Sequence, residues 1–157
     1  SVIVAYAAGA GLGHLTRLRA ARATLDLSGP LVVVTDSPRA GDRRVVGDAE
    51  VVAIPPPRRD PSASRRALAA ALRRPGVERF VLDAFPAGLA SELDAGVVPA
   101  DVPVLHLARS VRWDRYAPTL PSACPRLGRV VLVEPVGVDQ ADHLRRHADE
   151  GRRRAHG

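Results

Sequence analysis

A glycine-rich loop that ends in a histidine is the most informative chemical feature of this sequence. Gly9, Gly11 and Gly13 follow a short apolar segment and lead to His14, where a helical pattern begins. Glycines let the backbone turn tightly and approach a ligand, and the first turn of a helix presents free N–H groups and a positive dipole end. Such a loop suits a phosphate or a developing oxyanion, and a neutral imidazole there can act as a general base near pH 7. A plain strand-to-helix turn with a capping histidine is the alternative that spacing alone leaves open.

Two nucleotide-binding motifs fit the same loop poorly. The dinucleotide fingerprint GxGxxG requires Gly or Ala at position 14 when counted from Gly9, and at position 16 when counted from Gly11. The chain has His14 and Thr16 at those positions. A phosphate-binding P-loop requires a lysine, and the sequence contains none. We therefore expect no nucleotide cofactor at this loop.

Further polar residues follow the strand-like segments, at the edge where parallel sheets bind ligands. Arg17 lies one helical turn after His14 and is expected to point toward the same cleft. Asp36 could hold a substrate hydroxyl or cap the next helix. Asp83 could contribute to acceptor binding or form an ion pair with Arg109.

Aromatic residues after the fifth strand-like segment offer a possible sugar platform. Trp113 and Tyr116 are interleaved with arginines and could stack on a sugar or an aglycone, or pack into the core. Arg109 precedes them and is a candidate for substrate binding.

The remaining histidines and the cysteine do not predict a metal site. His106 lies within an apolar segment and is typical of a core histidine. His143 and His147 have the i, i+4 spacing of metal ligands on a helix, but no third ligand lies near them in the sequence. Cys124 is the only cysteine, which excludes a multi-cysteine zinc site and points to a reducing compartment.

Composition limits the classes of protein to which the chain can belong. Its 157 residues are 46% hydrophobic, enough for one domain with a real core. No apolar run reaches the roughly 18 residues of a membrane span, and no signal sequence precedes Val2, so a cytoplasmic location is expected. All 23 basic residues are arginines and the net charge is +6, but aromatics make up only 3%. We expect acidic partners and no nucleic acid, with possible peripheral contact between paired arginines and anionic lipid.

The apolar pattern predicts the elements that position these residues. Short, nearly continuous apolar runs are typical of strands buried on both faces of a parallel sheet. They are found at Val2–Ala7, Leu31–Asp36, Val51–Ile54, Arg79–Phe85, Val104–Ala108 and Val130–Val133. Helices are predicted between the first two strands, at Ser62–Arg74, at Ala87–Asp94 and, as a short turn, within Ser37–Asp48. The expected fold is α/β, a single Rossmann-like domain over 1–142 with a mostly parallel sheet of about six strands flanked by helices. An Arg-rich, frayed tail is expected over 143–157.

Three segments carry a resemblance to a known family. Gly11-Leu-Gly-His-Leu-Thr-Arg17 after the first strand is similar to the GxGHxxR opening of bacterial GT-B glycosyltransferases. The segments 82–93 (LDAFPAGLASEL) and 106–116 (HLARSVRWDRY) resemble later parts of a group of bacterial predicted glycosyltransferases. That group is distantly related to the enzyme that adds N-acetylglucosamine to lipid-linked peptidoglycan precursors. The resemblance covers about residues 2–140.

The resemblance implies a division of labour between two Rossmann-like domains. The N-terminal domain receives a sugar or lipid-linked acceptor, and the C-terminal domain holds the nucleotide-sugar donor. His14 would be the base that deprotonates the attacking hydroxyl, and Asp83 would orient it. Gly11, Gly13, Arg17, Asp36, Arg109 and Trp113 would contribute to substrate binding. The chain is thus expected to be the acceptor-binding half of an inverting transferase, inactive alone, with its donor domain missing or on another polypeptide. A sugar-nucleotide hydrolase of related fold and a non-catalytic binding module are the alternatives.

Overall fold

A single, all-parallel, six-stranded sheet forms the centre of the molecule. The computed structural model of the chain describes residues 1–9, 13–25 and 27–149. The strands are β1 (Val2–Ala7), β2 (Leu31–Thr35), β3 (Glu50–Ala53), β4 (Val77–Ala84), β5 (Val104–Ala108) and β6 (Arg129–Leu132). Their order across the sheet is β3-β2-β1-β4-β5-β6. The predicted α/β fold and its six strands are confirmed, and the bounds of β1 and β5 match the prediction.

Helices cover the sheet within the described ranges. They are α1 (Gly13–Thr24), α2 (Arg43–Val46), α3 (Pro61–Leu72), α4 (Trp113–Tyr116) and α5 (Val138–His147), with a 3₁₀ turn at Ala117–Thr119. The start of α3 follows from local chemistry, because Asp60 accepts a hydrogen bond of 3.0 Å from the Ala63 amide and Pro61 occupies the first turn. No helix in the described chain is long and apolar enough to cross a membrane.

The helix predicted at Ala87–Asp94 is wrong. This segment is a series of turns in which Ser91 has a φ of 54°. Glu92 is buried there and its carboxylate accepts hydrogen bonds from the Tyr6 hydroxyl and, at 2.8 Å, from the Ala90 amide. The apolar spacing is helical, but burial of this carboxylate against β1 requires a different backbone path.

The boundary expected at residue 143 lies inside α5. His143 and Leu144 are buried against the rest of the domain, so the C-terminal segment has an inward face at these positions. Arginines dominate the composition of this segment, so its inward face is not apparent from the sequence. Residues 150–157, the rest of the expected tail, lie outside the described residues.

Alternate residues of the strands build two hydrophobic cores, one on each face of the sheet. Val4 and Tyr6 of β1 pack with α3, whereas Ile3 and Ala5 pack with α1. The chain moves outward from β1 to β3 and then returns to place β4 on the other side of β1. The carboxyl ends of β1 and β4 therefore form the switch point of the sheet, where open parallel sheets leave a crevice for ligands.

Candidate functional site

An aspartate–histidine pair lies at this switch point. Asp83 is near the end of β4, and His14 is in the first turn of α1, which follows β1. The Nδ1 atom of His14 lies 2.5 Å from Oδ2 of Asp83. An ionised carboxylate can only accept, so Nδ1–H donates and the lone pair of the ring remains on Nε2. The pairing expected from the resemblance is present in the structure.

Arg17 completes the surroundings of the Asp83 carboxylate. Its Nε donates to Oδ1 at 3.0 Å and its Nη2 to Oδ2 at 2.8 Å, a two-pronged arrangement. Burial by itself would raise the pKa of Asp83, whose side chain is 1% exposed. Hydrogen bonds from His14 and Arg17, and the charge of Arg17, outweigh burial and lower this pKa below its usual value. Asp83 is therefore ionised at neutral pH and fixes the ring of His14.

The glycine loop gives His14 the space it needs. Gly9 has a φ of +140°, and a Cβ at this position would overlap the imidazole of His14. Asp36 accepts a 2.8 Å hydrogen bond from the Gly9 amide, so its carboxylate holds the backbone at Gly9. Of its two alternative roles, capping the next helix is not observed, since Asp42 caps α2. Holding a substrate hydroxyl stays a prediction. A Cβ at Gly13 would lie 3.3 Å from Nη1 of Arg17, and Gly11 lies outside the described residues.

A cleft of about 530 Å³ opens beside His14. Its wall includes Phe85, Tyr116 and four arginines, which are Arg58, Arg109, Arg112 and Arg115. Arg109 is paired with Glu134 at 3.2 Å. Among the described residues, no carboxylate forms an ion pair with the other three, and all three are exposed. The lining of the cleft is therefore positively charged and suited to an anionic ligand.

The sequence predicts no role in substrate binding for these three arginines. Arg58 follows β3 and belongs to the paired arginines for which contact with anionic lipid is expected, and Arg112 and Arg115 are interleaved with the aromatic residues. The signal that could have found them is their position after β3 and β5, at the edge that also carries His14.

Two other predicted substrate-binding residues have different surroundings from those expected. Arg109 pairs with Glu134, so the alternative Asp83–Arg109 ion pair is not formed. Trp113 is not among the residues lining the cleft; it packs against Tyr116 and His143, with ring centroids 5.6 and 5.0 Å apart. Packing, the second interpretation of Trp113, is the one observed, while Arg109 does line the cleft.

The other histidines lie away from the glycine loop. His106 is completely buried in β5, where Nδ1 lies 2.9 Å from the Leu82 carbonyl oxygen and Nε2 has no partner among the described residues. Burial lowers its pKa to about 4. Burial and the nearby His147 and Arg146 also lower the pKa of His143 to about 4. No third ligand lies near His143 and His147 in the sequence, but the fold brings Cys124 beside both.

In comparisons with known proteins, no family model matches the chain, and neither a curated protein nor a solved structure does.

Proposed function

We propose that the chain is the acceptor-binding domain of an inverting glycosyltransferase with His14 as its general base. The observation that carries this proposal is the His14–Asp83 pair at the edge of an arginine-lined cleft. The resemblance of three sequence segments to GT-B enzymes supplies the reaction class. The donor nucleotide sugar is expected on a second domain, on the same or another polypeptide.

In the proposed reaction, Nε2 of His14 takes the proton of an acceptor hydroxyl. The hydroxyl oxygen then attacks the anomeric carbon of the donor from the side opposite the leaving nucleotide. The new carbon–oxygen bond forms as the bond to the leaving phosphate breaks, which inverts the anomeric configuration. The carboxylate of Asp83 stabilises the imidazolium produced, and Arg17 keeps that carboxylate in place.

The arginines suggest the chemistry of the acceptor. Arg58, Arg112 and Arg115 line the same cleft as His14 and lack an ion-pair partner in the described chain. Guanidinium groups bind phosphate through paired N–H donors. An acceptor that carries a phosphate, such as a sugar phosphate or a lipid-linked sugar, is therefore favoured over a neutral sugar.

Binding can be tested on the chain itself with a matched pair of probes. We expect N-acetylglucosamine 1-phosphate to shift backbone amide signals of the cleft, whereas neutral N-acetylglucosamine binds much more weakly. Arg112→Ala and Arg115→Ala should weaken binding of the phosphorylated sugar. Arg126→Ala is the matched control, because Arg126 pairs with Asp149 and does not line this cleft. Equal binding of the two probes would contradict the assignment of a phosphate-bearing acceptor.

Catalysis is tested on the chain together with its donor domain, with a panel of nucleotide sugars. His14→Ala should lower kcat by about 10²- to 10⁴-fold, the usual contribution of a general base, while donor binding stays unchanged. Unchanged turnover would rule out His14 as the base. Release of free sugar without any acceptor would instead identify a hydrolase, and acceptor affinity without turnover would identify a binding module.

A further inference from the structure

A second group of chemically active side chains lies at the C-terminal helix. The ligand atoms of Cys124, His143 and His147 all lie within 4.8 Å of one another. The two histidines are one turn apart on α5, and Cys124 comes from the loop that precedes β6. The rings of His143 and His147 are stacked, with centroids 4.1 Å apart and planes inclined by 24°. The fold thus brings together three good transition-metal ligands from two distant segments.

The spacing of these atoms is close to what a metal requires. A tetrahedral zinc ion with bonds of about 2.0 Å to nitrogen and 2.3 Å to sulfur holds its ligand atoms roughly 3.3–3.6 Å apart. The three atoms would need to approach by at most about 1.5 Å, a distance that side-chain rotation covers. Cys124 and His147 are only partly buried, so both have room to move.

Hydrogen bonding at His147 favours the tautomer whose Nε2 can bind a metal. Its Nδ1 lies 3.0 Å from the carbonyl oxygen of His143. A carbonyl only accepts, so Nδ1 carries the proton and the lone pair remains on Nε2. A backbone carbonyl that fixes the tautomer in this way is a usual partner of metal-bound histidine.

The charges around this end of α5 act on a bound cation in both directions. The two histidines lie in the second half of the helix, whose C-terminus carries a partial negative charge. The nearby Arg145 and Arg146 are positive and oppose cation binding, but Arg145 is already paired with Asp142. Deprotonation of Cys124 on binding would add a negative charge in direct contact with the ion.

We propose that Cys124, His143 and His147 form a Zn²⁺ site. One thiolate and two imidazoles match the borderline-soft character of zinc, and the thiol proton is released to solvent on binding. Three protein ligands leave the fourth position to water. The ion would fasten α5 to the loop before β6. Trp113 packs against His143 and Tyr116, so the fastened region continues to the wall of the cleft.

Cobalt provides the direct test, because Co²⁺ occupies zinc sites and reports its ligands by absorption. Titration of the metal-free chain with Co²⁺ should give a thiolate-to-cobalt charge-transfer band and strong visible bands of a tetrahedral site, saturating at one ion per chain. Zn²⁺ should abolish these bands by displacing Co²⁺. Cys124→Ser should lose the charge-transfer band, and His147→Gln should lose the tetrahedral spectrum. His14→Ala is the matched control that removes a histidine elsewhere and should bind one ion as the parent does.

A second measurement needs no variant and therefore does not depend on whether the variants fold. The rate at which a disulfide reagent modifies the only cysteine should fall strongly when one equivalent of Zn²⁺ is present, and EDTA should restore it. An unchanged modification rate, or a cobalt spectrum that is the same in Cys124→Ser, would overturn the proposal. In that case the cluster would serve only to pack α5 against its neighbouring loop.

Discussion

Replacing Asp83 by asparagine probes the group on which the candidate site depends. The substitution keeps the size of the side chain but removes the charge that neutralises Arg17 and accepts from His14. Removing one partner of a buried ion pair costs about 3–5 kcal/mol, because the other charge stays buried without compensation. The Asp83 side chain is 1% exposed but that of Arg17 is 21% exposed, so water can partly hydrate the guanidinium. We therefore expect a loss near the lower limit, about 3 kcal/mol.

Urea denaturation at pH 7 measures this loss. Glu50→Gln is the control, because it breaks an exposed ion pair with Arg74 and should cost less than about 1 kcal/mol. The double variant Arg17→Met with Asp83→Asn should be more stable than the sum of the single effects predicts, because no unpaired charge is left. The difference in free energy of unfolding between the parent and Asp83→Asn should be fully present above 3.8, the usual pKa of an aspartate. It should be lost as the pH falls through the lowered pKa of the folded state. A cost for Asp83→Asn no larger than that of Glu50→Gln would refute the reasoning.

Two further predictions concern the glycine loop and the buried histidine of β5. Gly9→Ala should displace the ring of His14 and abolish turnover, measured with the donor domain present. Gly47→Ala, also at positive φ but with open space around it, should cost only about 1–3 kcal/mol of stability. Equal activity of the two variants would exclude the close approach of Gly9 to His14. Because His106 titrates at about 4 when folded and 6.5 when unfolded, the unfolded chain binds the extra proton between these values and stability falls as the pH decreases. The loss in the free energy of unfolding should reach about 2 kcal/mol by pH 5. His106→Asn, which keeps a donor for the Leu82 carbonyl, should remove this loss. If parent and variant give parallel profiles of urea stability against pH, His106 does not titrate as described.

The parts of the fold that sequence could predict are those set by continuous apolar segments and by proline and glycine. All six strands were predicted because a parallel sheet covered on both faces requires uninterrupted apolar runs, such as that of β1. The end of α3 was close to its prediction for a local reason, since Pro75 and Gly76 follow it. His14 and Asp83 were also predicted to lie together, and this rested on the resemblance and on the shared edge of the sheet.

The parts that could not be predicted depend on contacts between distant residues. The spacing from Ala87 to Asp94 is helical, yet Glu92 accepts a hydrogen bond from the hydroxyl of Tyr6, which lies 86 positions earlier. Cys124 reaches His143 only because the loop before β6 passes beside α5. Neither contact leaves a local signal, because the residues involved have ordinary neighbours in the sequence.

The strand order explains why the proposed base and the arginine-lined cleft occur together in this chain. Because β4 returns to the side of β1, Asp83 lies next to the start of α1, which carries His14. The carboxyl ends of β3 and β5 lie at the same edge of this parallel sheet, and the segments that follow them bring Arg58, Arg112 and Arg115 to the cleft. Under the proposed function, the buried carboxylate and the guanidinium groups of the cleft, which have no ion-pair partner in the described chain, perform two separate tasks. Asp83 would hold the proposed base in its active tautomer, and the arginines would hold the charge of a ligand, so substitutions at the two places should affect turnover and affinity separately.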